Sequence, residues 1–353
     1  MTHHYCPGRP TEAIRSLKSA HPSIMCTVPR LLEKIYAAFK DGLEKKPAWF
    51  RRIIDLALKT GEQYYGALSG GKKPSIWLRA RRAFYDRLIL SRVRELFGGR
   101  LKHCVVGSAA LIPEVHRFFQ SVGIFINNGY GLTETTATVA HTPLGHSLPG
   151  TVGTTLHGIE VRLGEDSEIQ VKGPTVMSGY FKREADTAAA FTEDGFFRTG
   201  DVGEFLENGY LRITDRLKEF LRTSTGLYVS PQHLEQRLSI LPYIDQAAVV
   251  GEGHSWVGAL LVPNFDKLRD KARSWGAECL DNAALIIDKT VLSHVQKDID
   301  ELLANEMNHE KVRRITLIEH PFTIDNEELT PTLKLRRRAI NSHYHQLIEQ
   351  MFS

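Results

Sequence analysis

Asn127-Asn128-Gly129-Tyr130-Gly131-Leu132-Thr133-Glu134-Thr135 is the stretch whose reading decides the fold. Before it runs Gly123-Ile124-Phe125-Ile126, an apolar run that reads as a buried strand ended by the two turn-prone asparagines. Two glycines, a ring, hydroxyls and a carboxylate then follow within the same stretch. Glycine lets a backbone approach a ligand where a Cβ would clash. Hydroxyls hydrogen-bond phosphate oxygens, and a carboxylate can hold a Mg²⁺ that keeps most of its waters. Taken alone, the stretch reads equally well as a strand-exit turn or as a nucleotide site, because short motifs often mislead.

Working outward, His103-Cys104-Val105-Val106 reads as a strand, Gly107-Ser108-Ala109-Ala110 as a tight turn and 113–121 as a helix. Strand, helix, strand at this spacing is a βαβ unit with parallel strands. The turns at 107–110 and 127–134 then share the carboxyl edge of one sheet, where open α/β sheets bind ligands. Further upstream, helices are expected over 11–18, 29–43, 47–68 and 74–97, with a strand at 23–28. Gly66-x4-Gly71-Lys72 imitates a Walker A loop. Lys73 holds its Ser/Thr position and helices flank it, so it is a polar loop.

Downstream, short strands at 159–163, 168–172, 202–205 and 210–213 are divided by turns, with one helix at 182–191. Glu207-Asn208-Gly209 is a hairpin signal. Beyond Asp215 come a helix opened by Ser230-Pro231, strands at 246–250 and 258–262, helices at 265–275 and 281–305, a strand at 314–318 and a helix over 335–352. The fold class is therefore α/β and α+β multidomain. It comprises a partial α/β region (1–140), a small antiparallel, β-barrel-like subdomain (141–214), a hinge (215–218) and a mobile α+β C-terminal domain (219–353).

Composition narrows the function classes. The 353 residues are 42% apolar and 24% charged, with a net charge of +4. Basic clusters at 79–87, 92–100 and 334–338 read as solvated helix faces, and no nucleic-acid-binding motif accompanies them. No apolar run of membrane-spanning length occurs, and the first residues lack the features of a signal peptide. Cys6, Cys26, Cys104 and Cys279 lack CxxC spacing, which fits a reducing cytoplasm. The His pairs lack companion ligands at zinc spacing and read as surface residues.

Three further stretches carry chemistry: Thr199-Gly200-Asp201, Asp215-Arg216-Leu217-Lys218-Glu219 and Leu329-Thr330-Pro331-Thr332-Leu333-Lys334. A carboxylate beside a glycine can accept hydrogen bonds from a vicinal diol such as a ribose. Together with Tyr130-Gly131-Leu132-Thr133-Glu134, their order and spacing resemble the AMP-forming acyl-CoA synthetases of the adenylate-forming superfamily, and most of all the long-chain fatty acid–CoA ligases. Val28-Pro29-Arg30 and Arg222-Thr223-Ser224, with Gly226 and Tyr228-Val229-Ser230-Pro231, add to the likeness to that branch.

The resemblance implies ATP, Mg²⁺ and CoA as ligands and a fatty acid as substrate. It implies that Gly107, Ser108 and Ala109 line an adenine pocket, that Tyr130 with Gly131 forms its wall and stacks on the base, and that Thr133 meets the α-phosphate. Glu134 holds Mg²⁺, Asp201 and Arg216 meet the ribose, Lys218 is the hinge, and Lys334 bridges the acyl carboxylate and the α-phosphate. It leaves peripheral membrane contact open, since the substrate is a lipid. A Ser/Thr/Gly-rich phosphate loop ending Pro-Lys-Gly is not found, so the expectation is a C-terminal portion that is impaired alone, its N-terminal half elsewhere, with uncovered sheet edges and apolar faces. A non-catalytic or split-enzyme fragment and an aryl or medium-chain ligase are the alternatives. Glu327 departs from the branch, which usually carries glycine before Glu-Leu.

Overall fold

The computed structural model describes residues 16–107, 111–143, 145–217, 220–277, 281–330 and 334–353. They fall into two compact units, 1–217 and 218–353.

After helical residues 16–20, the first unit continues with β1 (Ile24–Thr27), α1 (Pro29–Glu44), α2 (Ala48–Ser69) and α3 (Ile76–Tyr85). The helix expected over 74–97 is interrupted: a wide π turn at Asp86–Leu90 separates α3 from α4 (Ser91–Glu95). At that turn the Asp86 carboxylate receives Arg82 Nη1 and both Arg94 Nη atoms, an ion cluster that sequence periodicity does not reveal. Next come β2 (His103–Val106), α5 (Pro113–Val122) and β3 (Phe125–Tyr130). Strands β1, β2 and β3 are parallel and in register, with Met25 opposite Cys104 and Cys104 opposite Ile126. Alternation sends Cys104, Val106 and Ile126 inward, toward the layer holding Phe118 and Phe119 of α5. The Phe118 ring meets Tyr36 and Phe39 of α1. On the opposite face Ile24 and Val105 are 54% and 44% exposed, although parallel sheets are usually covered on both faces.

The asparagines do not end β3. The strand runs on through Gly129 and Tyr130 and pairs with β4 (Ala140–His141), which pairs with β5 (Thr154–Thr155). Asn128 is buried and hydrogen-bonded there. Its Nδ2 donates to Thr151 O at 2.9 Å and its backbone N–H to Thr142 Oγ1 at 3.2 Å. These long-range partners supply what a turn would otherwise have provided.

A four-stranded antiparallel sheet completes the unit: β6 (Glu160–Leu163), β7 (Glu168–Lys172), β8 (Phe197–Phe205) and β9 (Leu211–Arg216), with α6 (Glu184–Ala190) between β7 and β8. The expected hairpin joins β8 to β9. Leu206 and Tyr210 close it, and Gly209 takes the φ of +77° that the turn requires.

In the second unit, the short pair β10 (Leu221–Arg222) and β11 (Tyr228–Val229) precedes α7 (Pro231–Leu238), capped by Ser230 as expected. Then follow β12 (Ile244–Val250), β13 (Val257–Pro263), α8 (Phe265–Ser274), α9 (Asn282–Ile287) and α10 (Lys289–Leu302). The single helix expected over 281–305 is two, because the Asp288 carboxylate accepts Val291 N–H and starts a new helix. Strand β14 (Val312–Leu317) and helices α11 (Arg337–His343) and α12 (His345–Phe352) finish the chain. Strand alternation builds a core on each face of the β12–β13–β14 sheet. Val249, Ala259 and Leu261 face Leu234, Val295 and Ile299, while Val250, Leu260 and Val262 face Ile340, Ile348 and Met351.

Candidate active site

Tyr130, Asp201 and Arg216 lie far apart in sequence and meet in the first unit. Tyr130 ends β3 at the carboxyl edge of the parallel strands, and Asp201 and Arg216 are paired across β8 and β9. Asp201 is 4% exposed. Its Oδ2 accepts the Tyr130 hydroxyl at 2.8 Å and its Oδ1 accepts Arg216 Nε at 2.6 Å. A buried carboxylate is tolerated when its oxygens are paired in this way. Burial, reinforced by the Asp201 charge, pushes the Tyr130 phenol above its ordinary pKa, so it stays a donor. The aspartate is held from behind as well. Its N–H meets Thr199 Oγ1, the Thr199 hydroxyl donates to Ile169 O, and Glu168 Oε1 accepts Gly200 N–H.

Beyond Tyr130 the chain makes a tight loop. Thr133–Thr135 form one 3-10 turn, and Thr135 Oγ1 accepts Leu132 N–H at 2.9 Å. Thr136 and Ala137 then take φ of +50° and +76°. Left-handed backbone at non-glycine residues costs on the order of 1–3 kcal/mol each and collects at ligand sites. A Cβ added at Gly131 would stand 1.4 Å from Ala137 O, so glycine is required there by this return of the loop itself. At Gly129 nothing lies within 4 Å of an added Cβ, which leaves open approach to the backbone. Gly107 follows β2 beside it, its Cβ position 3.9 Å from Gly129 O.

The loop leaves Thr133 exposed and Glu134 half-buried. Glu134 Oε1 accepts the Tyr180 hydroxyl at 3.1 Å, and Glu134 O accepts Met177 N–H at 2.7 Å. No group of three His, Cys, Asp or Glu able to hold a metal occurs among the described residues. A lone carboxylate fits a Mg²⁺ that brings phosphate oxygens and waters with it, not a cage built by the protein.

Lys334 belongs to the second unit, where it is exposed. Leu329 and Leu335 bridge at the base of its loop, Thr330 N–H donates to Lys334 O, and Lys334 N–H donates to Thr330 Oγ1. Arg337, just beyond, is clamped to both Glu235 oxygens at 2.8 and 2.9 Å. Ser108, Ala109 and Lys218 lie outside the described residues. Tyr180 and Glu168 escaped the sequence reading, and Thr199 was read within its motif without this supporting role. Tyr180 carries no local signal of its hydroxyl's reach to Glu134, 46 residues away.

Residues 1–181 match the AMP-binding enzyme family and residues 218–353 match the AMP-binding enzyme C-terminal domain. The chain is 33% identical over 336 residues to the long-chain-fatty-acid–CoA ligase FadD15 of Mycobacterium bovis, covering 94% of this chain and 55% of that protein. It is 29% identical over 350 residues to the peroxisomal long chain acyl-CoA synthetase 7 of Arabidopsis thaliana, covering 94% and 49%. Among solved structures, the A domain of carboxylic acid reductase from Segniliparus rugosus, in complex with AMP and a co-purified carboxylic acid, superposes with a TM-score of 0.68 at 25% identity, covering 96% and 48%. The chain thus spans about half the length of the curated relatives it matches. On its family matches, the chain belongs to the AMP-binding enzyme family.

Proposed function

We propose that this chain carries the adenylate side of a long-chain fatty acid–CoA ligase. The observation that carries the reading is the Tyr130–Asp201–Arg216 cluster at the carboxyl edge of the parallel strands. Asp201 offers carboxylate oxygens to the ribose hydroxyls, with Arg216 beside them. Tyr130 and the backbone of Gly107, Ser108, Ala109 and Gly131 take the adenine. Thr133 meets the α-phosphate, and Glu134 holds the Mg²⁺ that offsets phosphate charge.

In the first half-reaction an acyl carboxylate oxygen bonds to the α-phosphorus of ATP as the bond to pyrophosphate breaks, giving acyl-AMP. Two anions meet there, so positive charge has to be placed between them. Lys334 supplies it, on a domain that turns about Lys218 between steps. In the second half-reaction the CoA sulfur bonds to the acyl carbon, AMP leaves with the electron pair of the broken anhydride bond, and the thiol proton passes to solvent. The names of FadD15 and the plant synthetase support a long-chain acid.

A fragment that binds nucleotide or acyl-CoA without turnover is the second reading, because the chain spans about half of its relatives. The test has two arms. The chain alone, given palmitoyl-AMP and CoA, should form palmitoyl-CoA. Mixed with a polypeptide carrying the phosphate loop, it should release pyrophosphate from MgATP, faster with palmitate than with benzoate or octanoate. Failure of both arms overturns the ligase reading, and faster release with benzoate or octanoate moves it to an aryl or medium-chain ligase.

A further inference from the structure

Helix α3 and the wide turn after it present a face that the described chain leaves bare. Inward, Arg82, Ile89 and Leu90 are buried. Outward, Ile76, Trp77, Phe84 and Leu88 are 77%, 83%, 62% and 45% exposed. At 3.6 residues per turn, Ile76, Trp77, Ala80 and Phe84 share a sector roughly 100° wide, with Arg79 and Arg81 on its two borders. Leu88 and Arg87 extend the ridge through the turn, and all three arginines are exposed.

Charge along the segment is one-sided. From Gly71 to Val93 the bases are Lys72, Lys73, Arg79, Arg81, Arg82, Arg87 and Arg92, and the one acid is Asp86. That acid is bound to Arg82 and Arg94, on the side away from the ridge. An exposed apolar ridge with a tryptophan and a phenylalanine, edged by arginines, is the chemistry of a helix lying in a membrane interface. The same arginines would repel a second copy of this face. A protein partner would have to offer an apolar furrow lined with acids.

We propose that α3 docks this chain on the surface of an anionic phospholipid bilayer. The helix lies in the headgroup plane, Ile76, Trp77, Phe84 and Leu88 enter the acyl boundary, and Arg79, Arg81 and Arg87 meet lipid phosphates. No segment crosses the bilayer in this arrangement, and among the described residues no helix is long and apolar enough to do so. The docking does not depend on the catalytic reading, and its test needs no turnover.

The test is co-sedimentation of the full chain with vesicles of phosphatidylglycerol in phosphatidylcholine and with vesicles of phosphatidylcholine alone. The anionic vesicles should bind the chain and release it as salt rises. Each arginine near an anionic surface contributes about fivefold to binding, so Arg79→Gln, Arg81→Gln and Arg87→Gln together should weaken it about 100-fold. Trp77→Ser with Phe84→Ser should weaken it at least about tenfold. Both variants alter exposed side chains, and unchanged melting curves would show that folding is intact. The docking is overturned if the wild type ignores anionic vesicles, if both variants bind as the wild type does, or if the ridge variants change only the oligomeric state.

Discussion

Replacing Tyr130 with phenylalanine tests the join between the two sheets of the first unit. Phenylalanine keeps the ring, which packs against the cluster of Val139, Ile169, Val171 and Leu211, and removes only the hydroxyl. Asp201 Oδ2 then loses the donor at 2.8 Å while remaining buried. A hydrogen bond to a charged group contributes about 1.5–3 kcal/mol, so the loss should be near 2 kcal/mol, or about 30-fold in the local opening equilibrium. Hydrogen exchange read by mass spectrometry on peptides covering β3 and β8 isolates that opening from the second unit. Protection should fall about 30-fold in both strands, and Asp201→Asn in the Tyr130→Phe background should add less than it does in the wild type. If protection changes by less than about twofold, or the two substitutions add fully, the hydroxyl does not tie the sheets and the cluster is no preformed ribose site.

The remaining predictions follow from single positions. Glu327 holds φ of +59°, a conformation that costs a residue with a Cβ about 1–2 kcal/mol; after the entropy glycine loses on folding, Glu327→Gly should raise the urea midpoint of the second unit by up to about 1 kcal/mol in equivalent stability. His116 Nε2 lies 2.5 Å from Ser147 Oγ, which donates to Ile126 O, and its buried Nδ1 has no partner. Burial, aided by Arg117, lowers its pKa to about 3. The unfolded chain protonates this ring below about pH 6.5 while the folded one does not, so its contribution is complete above that pH. Stability should then fall by about 1.4 kcal/mol per pH unit toward pH 3, and His116→Gln should flatten this slope in acid titrations of unfolding. Lys334→Ala should slow adenylation at least about 100-fold, as removal of a transition-state charge does, while thioester formation from supplied acyl-AMP stays within about twofold of wild type; equal loss in both half-reactions would count against the assigned role.

Elements with local signatures were legible from sequence: Ser230-Pro231 opening α7, Glu207-Asn208-Gly209 closing the β8–β9 hairpin and the strand–helix–strand from β2 to β3. Misreadings arose where distant partners overrode local preference and where a local cap was passed over. Asn128 continues a strand because Thr151 and Thr142 satisfy it, and Asp288 splits a helix by capping the next one. The candidate site divides the same way. Tyr130, Asp201 and Arg216 stood out within their motifs, but a chain read in order cannot show that one carboxylate joins all three. Glu327 illustrates a departure whose physical meaning needed the backbone, since the position favours glycine for its positive φ.

The central claim is a preformed seat for an acyl-adenylate, and calorimetric titration with a non-hydrolysable long-chain acyl-sulfamoyl adenosine tests it directly. The intact chain should bind this mimic, and Asp201→Ala should weaken binding at least about tenfold by leaving the ribose without its acceptor. No binding to the wild type, or equal binding to Asp201→Ala, would contradict the account.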